Sequence, residues 1–171
     1  VVGIEKSDVT LVMDTISQLP GTASDSSDIE RIIEATRKYN SLDDYKKSKV
    51  QNYYILENLQ QSLAEYHHVY NGITVDGLDW YVKVIANPLI SDMDACTRIY
   101  GKLSSEYILD LYDVYLWDVV NDQRYTLPEG KSVVVHLPTP DISYFENPTG
   151  IHENEDGKLD YLTLNMSGGT T

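Results

Sequence analysis

Apolar residues recur every three or four positions up to Asn71-Gly72; beyond it they alternate or run in short continuous blocks. The first spacing belongs to amphipathic helices and the second to strands. Val9, Val12, Met13, Ile16 and Leu19 trace one helical face, which Pro20-Gly21 ends. Ser27-Asp28-Ile29-Glu30 reads as a capping box opening a second helix, with Ile29, Ile32, Ile33, Thr36 and Tyr39 on its apolar side. Asp43-Asp44-Tyr45-Lys46-Lys47 predicts a short third helix with acids at its positive end. A fourth starts near Asn52 and presents Ile55, Leu56, Leu59, Leu63 and Tyr66 inward. Short connections make residues 1–72 an up-and-down bundle of three to four helices. A bundle of that size is marginal alone, which favours packing on its neighbour.

Past Gly72, residues 80–86 form a strand candidate ended by Asn87-Pro88. Residues 91–103 read as a lone helix or ordered loop, with Ser91 and Asp94 in capping positions. Residues 107–119 predict a long strand whose alternation slips at 110–113, as at a bulge. Asn121-Asp122 turns the chain into Arg124-Tyr125-Thr126, and residues 132–137 make another strand. A hairpin around Glu155-Asp156-Gly157 closes the pattern. Short strands at such spacing, with turns rich in Gly, Pro and Asp, indicate an antiparallel β-sandwich over residues 73–171. The expected fold is α+β by segregation, a helical bundle and then a sandwich, with Ile73 and Val75 as a short connection.

Two stretches carry a resemblance. Residues 16–22, the run Ile32-Ile33-Glu34-Ala35-Thr36-Arg37-Lys38-Tyr39-Asn40-Ser41-Leu42 and Lys49-Val50-Gln51-Asn52 resemble a helical module of bacterial surface proteins. Asp76-Gly77-Leu78-Asp79-Trp80-Tyr81-Val82, residues 111–116 and residues 125–130 resemble the immunoglobulin-like module that often follows it. Such modules occur in large secreted or wall-associated proteins of Gram-positive bacteria. The resemblance implies an Ig-like sandwich, an extracellular or cell-wall location and a structural or adhesive role, and it brings no catalytic residues. A further aromatic strand is expected after Gly168-Gly169, so either the sequence is cut at Thr171 or the sandwich lacks its last strand.

Charge narrows the partners. The net charge is −14, with 7 Lys/Arg against 11 Asp/Glu in residues 1–72 and 6 against 16 in residues 73–171. A surface so acidic repels polyphosphates and anionic membranes, which disfavours nucleic acid. No run of about 18 apolar residues marks a membrane span. The start of the chain has neither the basic region nor the apolar stretch of a signal peptide, consistent with a piece of something longer. Cys96, the single cysteine, forms no internal disulfide and cannot alone build a zinc site.

Candidate chemistry is sparse. Leu19-Pro20-Gly21-Thr22-Ala23 is close to a sortase signal, but between two helices it reads as a turn. His67 and His68 are adjacent on a helix and point about 100° apart, so they cannot easily share one ion. Acidic turns at Asp92/Asp94, at Asp118/Asn121/Asp122 and at Asn154/Asp156/Asp160 offer oxygens for calcium, but none matches the twelve-residue calcium loop. A Lys83–Asn165 isopeptide with Asp110 or Asp113 as its acid is a further idea, set against Lys83 falling opposite Val82 and Val84. There is no nucleophile elbow, phosphate loop or dinucleotide fingerprint. Neither an enzyme, a cofactor nor a metal is expected. Fourteen Tyr against one Phe suits thin domains whose core residues lie near the surface. It also suits sugar or protein contact, because Tyr is apolar at the ring and polar at the tip. Trp80, Tyr81, Tyr115 and Trp117 are the candidate ligand contacts, with core packing as the competing role. The expected protein is a monomeric, non-catalytic structural or adhesive module pair. The alternative is a carbohydrate- or protein-binding module using exposed aromatics, its partner an unidentified protein or glycan besides the neighbouring modules.

Overall fold

The computed structural model describes residues 7–103, 108, 110–138, 149–154 and 156–162. It is mixed α+β, with three small antiparallel sheets. The chain divides into two compact units, one within Val1–Asn87 and Val114–Leu137, the other within Pro88–Asp113 and Pro138–Thr171.

The first unit begins with helices α1 (Asp8–Ser17), α2 (Ser26–Asn40), α3 (Asp44–Lys47) and α4 (Tyr53–His67). Their facing apolar stripes close on Ile16, Ile32, Leu56 and Leu63, all essentially inaccessible to water, with Val12, Leu42, Val50 and Leu59 around them. The α2 cap lies two residues before the sequence expectation. Extended Asp25, not Ser27, accepts the Asp28 amide at 2.9 Å, and Asp28 reaches back to the amide and hydroxyl of Ser24. Aspartate caps as well as serine, and here it also finds its reciprocal acid. Asn52 precedes α4 without capping it; its amide donates to the Met13 carbonyl at 2.9 Å and to Ser17 Oγ at 3.0 Å, tethering α1. A buried polar pair joins α2 to α4: Gln60 Nε2 donates to Thr36 Oγ1 at 2.8 Å, and Thr36 donates to the Ile32 carbonyl. Buried polar groups satisfied in this way specify one packing arrangement.

Asn71-Gly72 is a hairpin turn. Both residues have positive φ, 49° and 81°, the geometry that Asn-Gly adopts in two-residue turns. It joins β1 (Val69–Tyr70) to β2 (Ile73–Asp76), with Tyr70 opposite Ile73. Ile73 and Val75, expected as a connection, are therefore strand residues, and both are buried. β2 also pairs with the strand Val134–His136, numbered β6 in chain order. The second sheet has the order β3 (Val82–Pro88), β4 (Tyr112–Asp118), β5 (Gln123–Tyr125). Val82, Val84 and Ala86 alternate inward along β3, so Lys83 and Ile85 take the outward face.

Two contacts fasten the helices to the strands within this unit. The buried His67, closing α4, places Nδ1 2.7 Å from the Trp80 carbonyl. Arg37 of α2 donates from Nε to the Val120 carbonyl at 2.6 Å and from Nη2 to that of Val119 at 3.0 Å.

The second unit holds α5 (Met93–Tyr100) and the hairpin β7 (Gly150–Glu153) with β8 (Leu159–Leu162). Asp92 caps α5 by accepting the Asp94 and Ala95 amides, so neither Ser91 nor Asp94 is the cap. Glu153 forms ion pairs with Arg98 and Lys102, and Lys102 also donates to the Gly157 carbonyl at 2.7 Å.

Candidate functional site

Strand alternation sorts the four aromatic candidates. Tyr115 and Trp117 lie two residues apart on β4 and share the outward face of the β3–β4–β5 sheet with Lys83 and Ile85. Together with Val119 and Asp122 they line a shallow trough of about 370 Å³. Register places Arg124 opposite Trp117, and its guanidinium lies 4.8 Å from the Tyr115 ring centroid. That distance is within cation–π range. Trp117 Nε1 donates to Asp122 Oδ1 at 3.3 Å, which fixes the indole's polar edge. Both rings are half-buried, so they have faces free for contact and edges already positioned.

Trp80 and Tyr81 are held elsewhere. Trp80 packs against the helical core. Tyr81 meets Trp80 and Tyr125 edge-on, with ring centroids 5.9 and 6.1 Å apart. Burial and the nearby Asp79 carboxylate push the Tyr81 hydroxyl up to about 12, so it stays neutral. The structure thus assigns one candidate pair to the trough and the other to packing.

The remaining candidates resolve into local roles. His67 and His68 diverge, one ring toward the Trp80 carbonyl and the other toward that of Asp79 at 3.1 Å. Burial lowers the His67 pKa, outweighing the Trp80 hydrogen bond, which acts the other way. His136 Nε2 lies 2.8 Å from Asp76 Oδ2 across the β2–β6 pair. Asp118 accepts the amides of Val120 and Asn121 in its own turn. Asn154 Oδ1 accepts those of Asp156 and Lys158. Among the described residues, no group of three or more His, Cys, Asp or Glu is arranged to hold a metal ion. Asn165 lies outside the described residues, while Lys83 belongs to the trough.

A second concavity lies beside α4, where no sequence motif marks it. The α1–α2 loop, residues 20–25, faces α4 across a groove of about 400 Å³. Tyr54, Asn58, Ser62 and Tyr66 border it from α4, and Tyr54 and Tyr66 are 61% and 60% exposed. Tyr66, expected in the core, is therefore a rim residue. Four residues at i, i+4 spacing were the available signal.

No protein-family model, no curated protein and no solved structure matches this chain.

Proposed function

We propose that the chain is a non-catalytic structural and adhesive segment of a bacterial cell-surface protein, with the outward face of β3–β4–β5 as its contact surface. The observation that carries this reading is the pairing of Tyr115 with Trp117 beside Arg124 and Lys83 on one sheet face. Aromatic and arginine side chains presented together are the composition of binding hot spots. The strongly acidic remainder of the chain discourages nonspecific association and leaves this strip as the favoured point of contact. Its finer architecture, a helical bundle leading into an immunoglobulin-like sandwich, and its extracellular or wall-associated location rest on the sequence resemblance.

A second reading, a carbohydrate- or protein-recognition module, uses the same face. Sugar rings stack on exposed indole and phenol faces, whereas a protein partner would engage the Arg124 and Lys83 cations as well. Screening the chain against a glycan array and immobilised extracellular-matrix proteins separates the two. Saturable binding to either set, weakened by Trp117→Ala, supports a contact surface. Absence of saturable binding to both removes the adhesive role.

A further inference from the structure

We propose that the groove between the α1–α2 loop and α4 is a binding site for a short neutral oligosaccharide, separate from the β3–β4–β5 face. Its wall is preformed. Asp28 accepts both the amide and the hydroxyl of Ser24, at 3.1 and 2.7 Å, and Arg31 donates to the Gln18 carbonyl, so both ends of the loop are fastened. A preformed wall lowers the ordering cost of binding.

The lining selects the ligand chemistry. The half-buried Ile29 and Ile55 make an apolar floor, backed by the core residues Leu59 and Leu63. Around it stand the Thr22 hydroxyl, the Asn58 amide and the hydroxyls of Tyr54 and Tyr66, all four residues exposed. An apolar floor with a few converging polar groups is the usual build of a small-ligand site. No lysine or arginine lines the groove, and its one carboxylate, Asp25, is engaged as the α2 cap. With no free charged side chain in the lining to pair a charged ligand, and a net charge of −14 that repels anions, the groove suits an uncharged ligand. Sugars fit this pattern: ring C–H faces lie on tyrosine rings, and hydroxyls pair with amide and hydroxyl groups. Tyr54 and Tyr66 are three turns apart, about 18 Å along the helix. The ligand is therefore a chain of rings rather than one monosaccharide.

The loop carries Leu19-Pro20-Gly21-Thr22-Ala23, the sortase-like run. In this structure its residues 20–23 line the groove while Leu19 packs on the helical core, and a Cβ added at Gly21 would meet nothing within 4 Å, leaving the rim open.

The test is an amide-resolved NMR titration of the full chain with cellotriose, chitotriose and mannotriose, and with a proline-rich peptide as the competing occupant. Saturable shifts confined to residues 20–25 and 54–66 with at least one trisaccharide are expected. Tyr66→Ala and Asn58→Ala should each weaken that binding about tenfold, while Met93→Ala, exposed on α5, leaves it unchanged. Tyr66 and Tyr54 are exposed, and a matching spectrum elsewhere verifies that the variants fold. Absence of groove shifts with all three sugars, shifts indifferent to Tyr66→Ala, or saturation by the peptide alone would overturn the proposal. Loss of the adhesive reading leaves this test intact, because Trp117 and the groove are probed independently.

Discussion

His67 is the sharpest point at which to break the helix–strand junction. Its ring is 1% exposed and its Nδ1 lies 2.7 Å from a carbonyl that can only accept, so the proton sits on Nδ1. His67→Leu keeps bulk and removes the donor, leaving the Trp80 carbonyl without its partner at a cost of about 1–3 kcal/mol. His67→Ala adds a cavity and should cost about 3 kcal/mol or more. Urea unfolding followed by circular dichroism gives both numbers. A pH series adds a check that packing alone cannot mimic. Because the folded-state pKa lies below the ordinary 6.5, the unfolded chain binds the proton more readily. This contribution is complete above about pH 6.5 and is lost as pH falls toward the depressed folded value. Lys83 and His68, the titratable neighbours, push in the same direction. His67→Leu lacks this titration, so its deficit against wild type should narrow between about pH 7 and about pH 5. Parallel pH profiles for wild type and His67→Leu, or a deficit below about 0.5 kcal/mol, would refute the buried hydrogen-bonded imidazole.

Three further outcomes follow from the same geometry. Gly72→Ala forces a Cβ into the left-handed region at φ 81° and should destabilise by about 1 kcal/mol in chemical denaturation; an unchanged midpoint would argue against the two-residue turn. Tyr81 should keep its proton until about pH 12, so its ring carbon resonance, assigned with Tyr81→Phe, should titrate after those of exposed tyrosines; titration alongside them sinks the buried placement. Glu153 is held below its ordinary 4.5 by Arg98 and Lys102, so its contribution is present above pH 4.5 and lost as pH falls through the lowered value. Glu153→Gln should cost less than about 1 kcal/mol, with the difference vanishing in molar salt; a cost that survives salt would point to packing instead.

The helices were legible because each carries its own punctuation. The Val9–Ile16 stripe, the Pro20-Gly21 stop and the acids before α3 all act within a turn or two, where sequence spacing is spatial spacing. Cap identity was less so, since Ser24, Asp25, Ser26, Ser27 and Asp28 are all competent and the choice falls to the loop's reciprocal bonds. Asn71-Gly72 marks a change of hydrophobic period, and its chemistry is that of a hairpin turn. The strand pairing of β2 with β6 spans about 60 residues, and no local pattern encodes such a partner. At the site, the two-residue spacing of Tyr115 and Trp117 puts them on one face of β4. It could not show that Trp80 packs against the bundle, because that partner lies on helices remote in sequence. The α4 groove escaped for a related reason: Tyr66 continues the apolar spacing of Leu59 and Leu63, and only the packed helices reveal which edge it occupies.

The measurement closest to the central claim compares wild type with the Tyr115→Ala/Trp117→Ala double variant on a common panel of immobilised glycans and matrix proteins. Saturable binding by wild type to at least one panel member is expected, falling by about 30-fold or more in the double variant, with the helical amide resonances unmoved. No saturable binding by wild type, or binding that survives loss of both rings and also survives Tyr66→Ala in the α4 groove, would contradict a contact surface on β3–β4–β5.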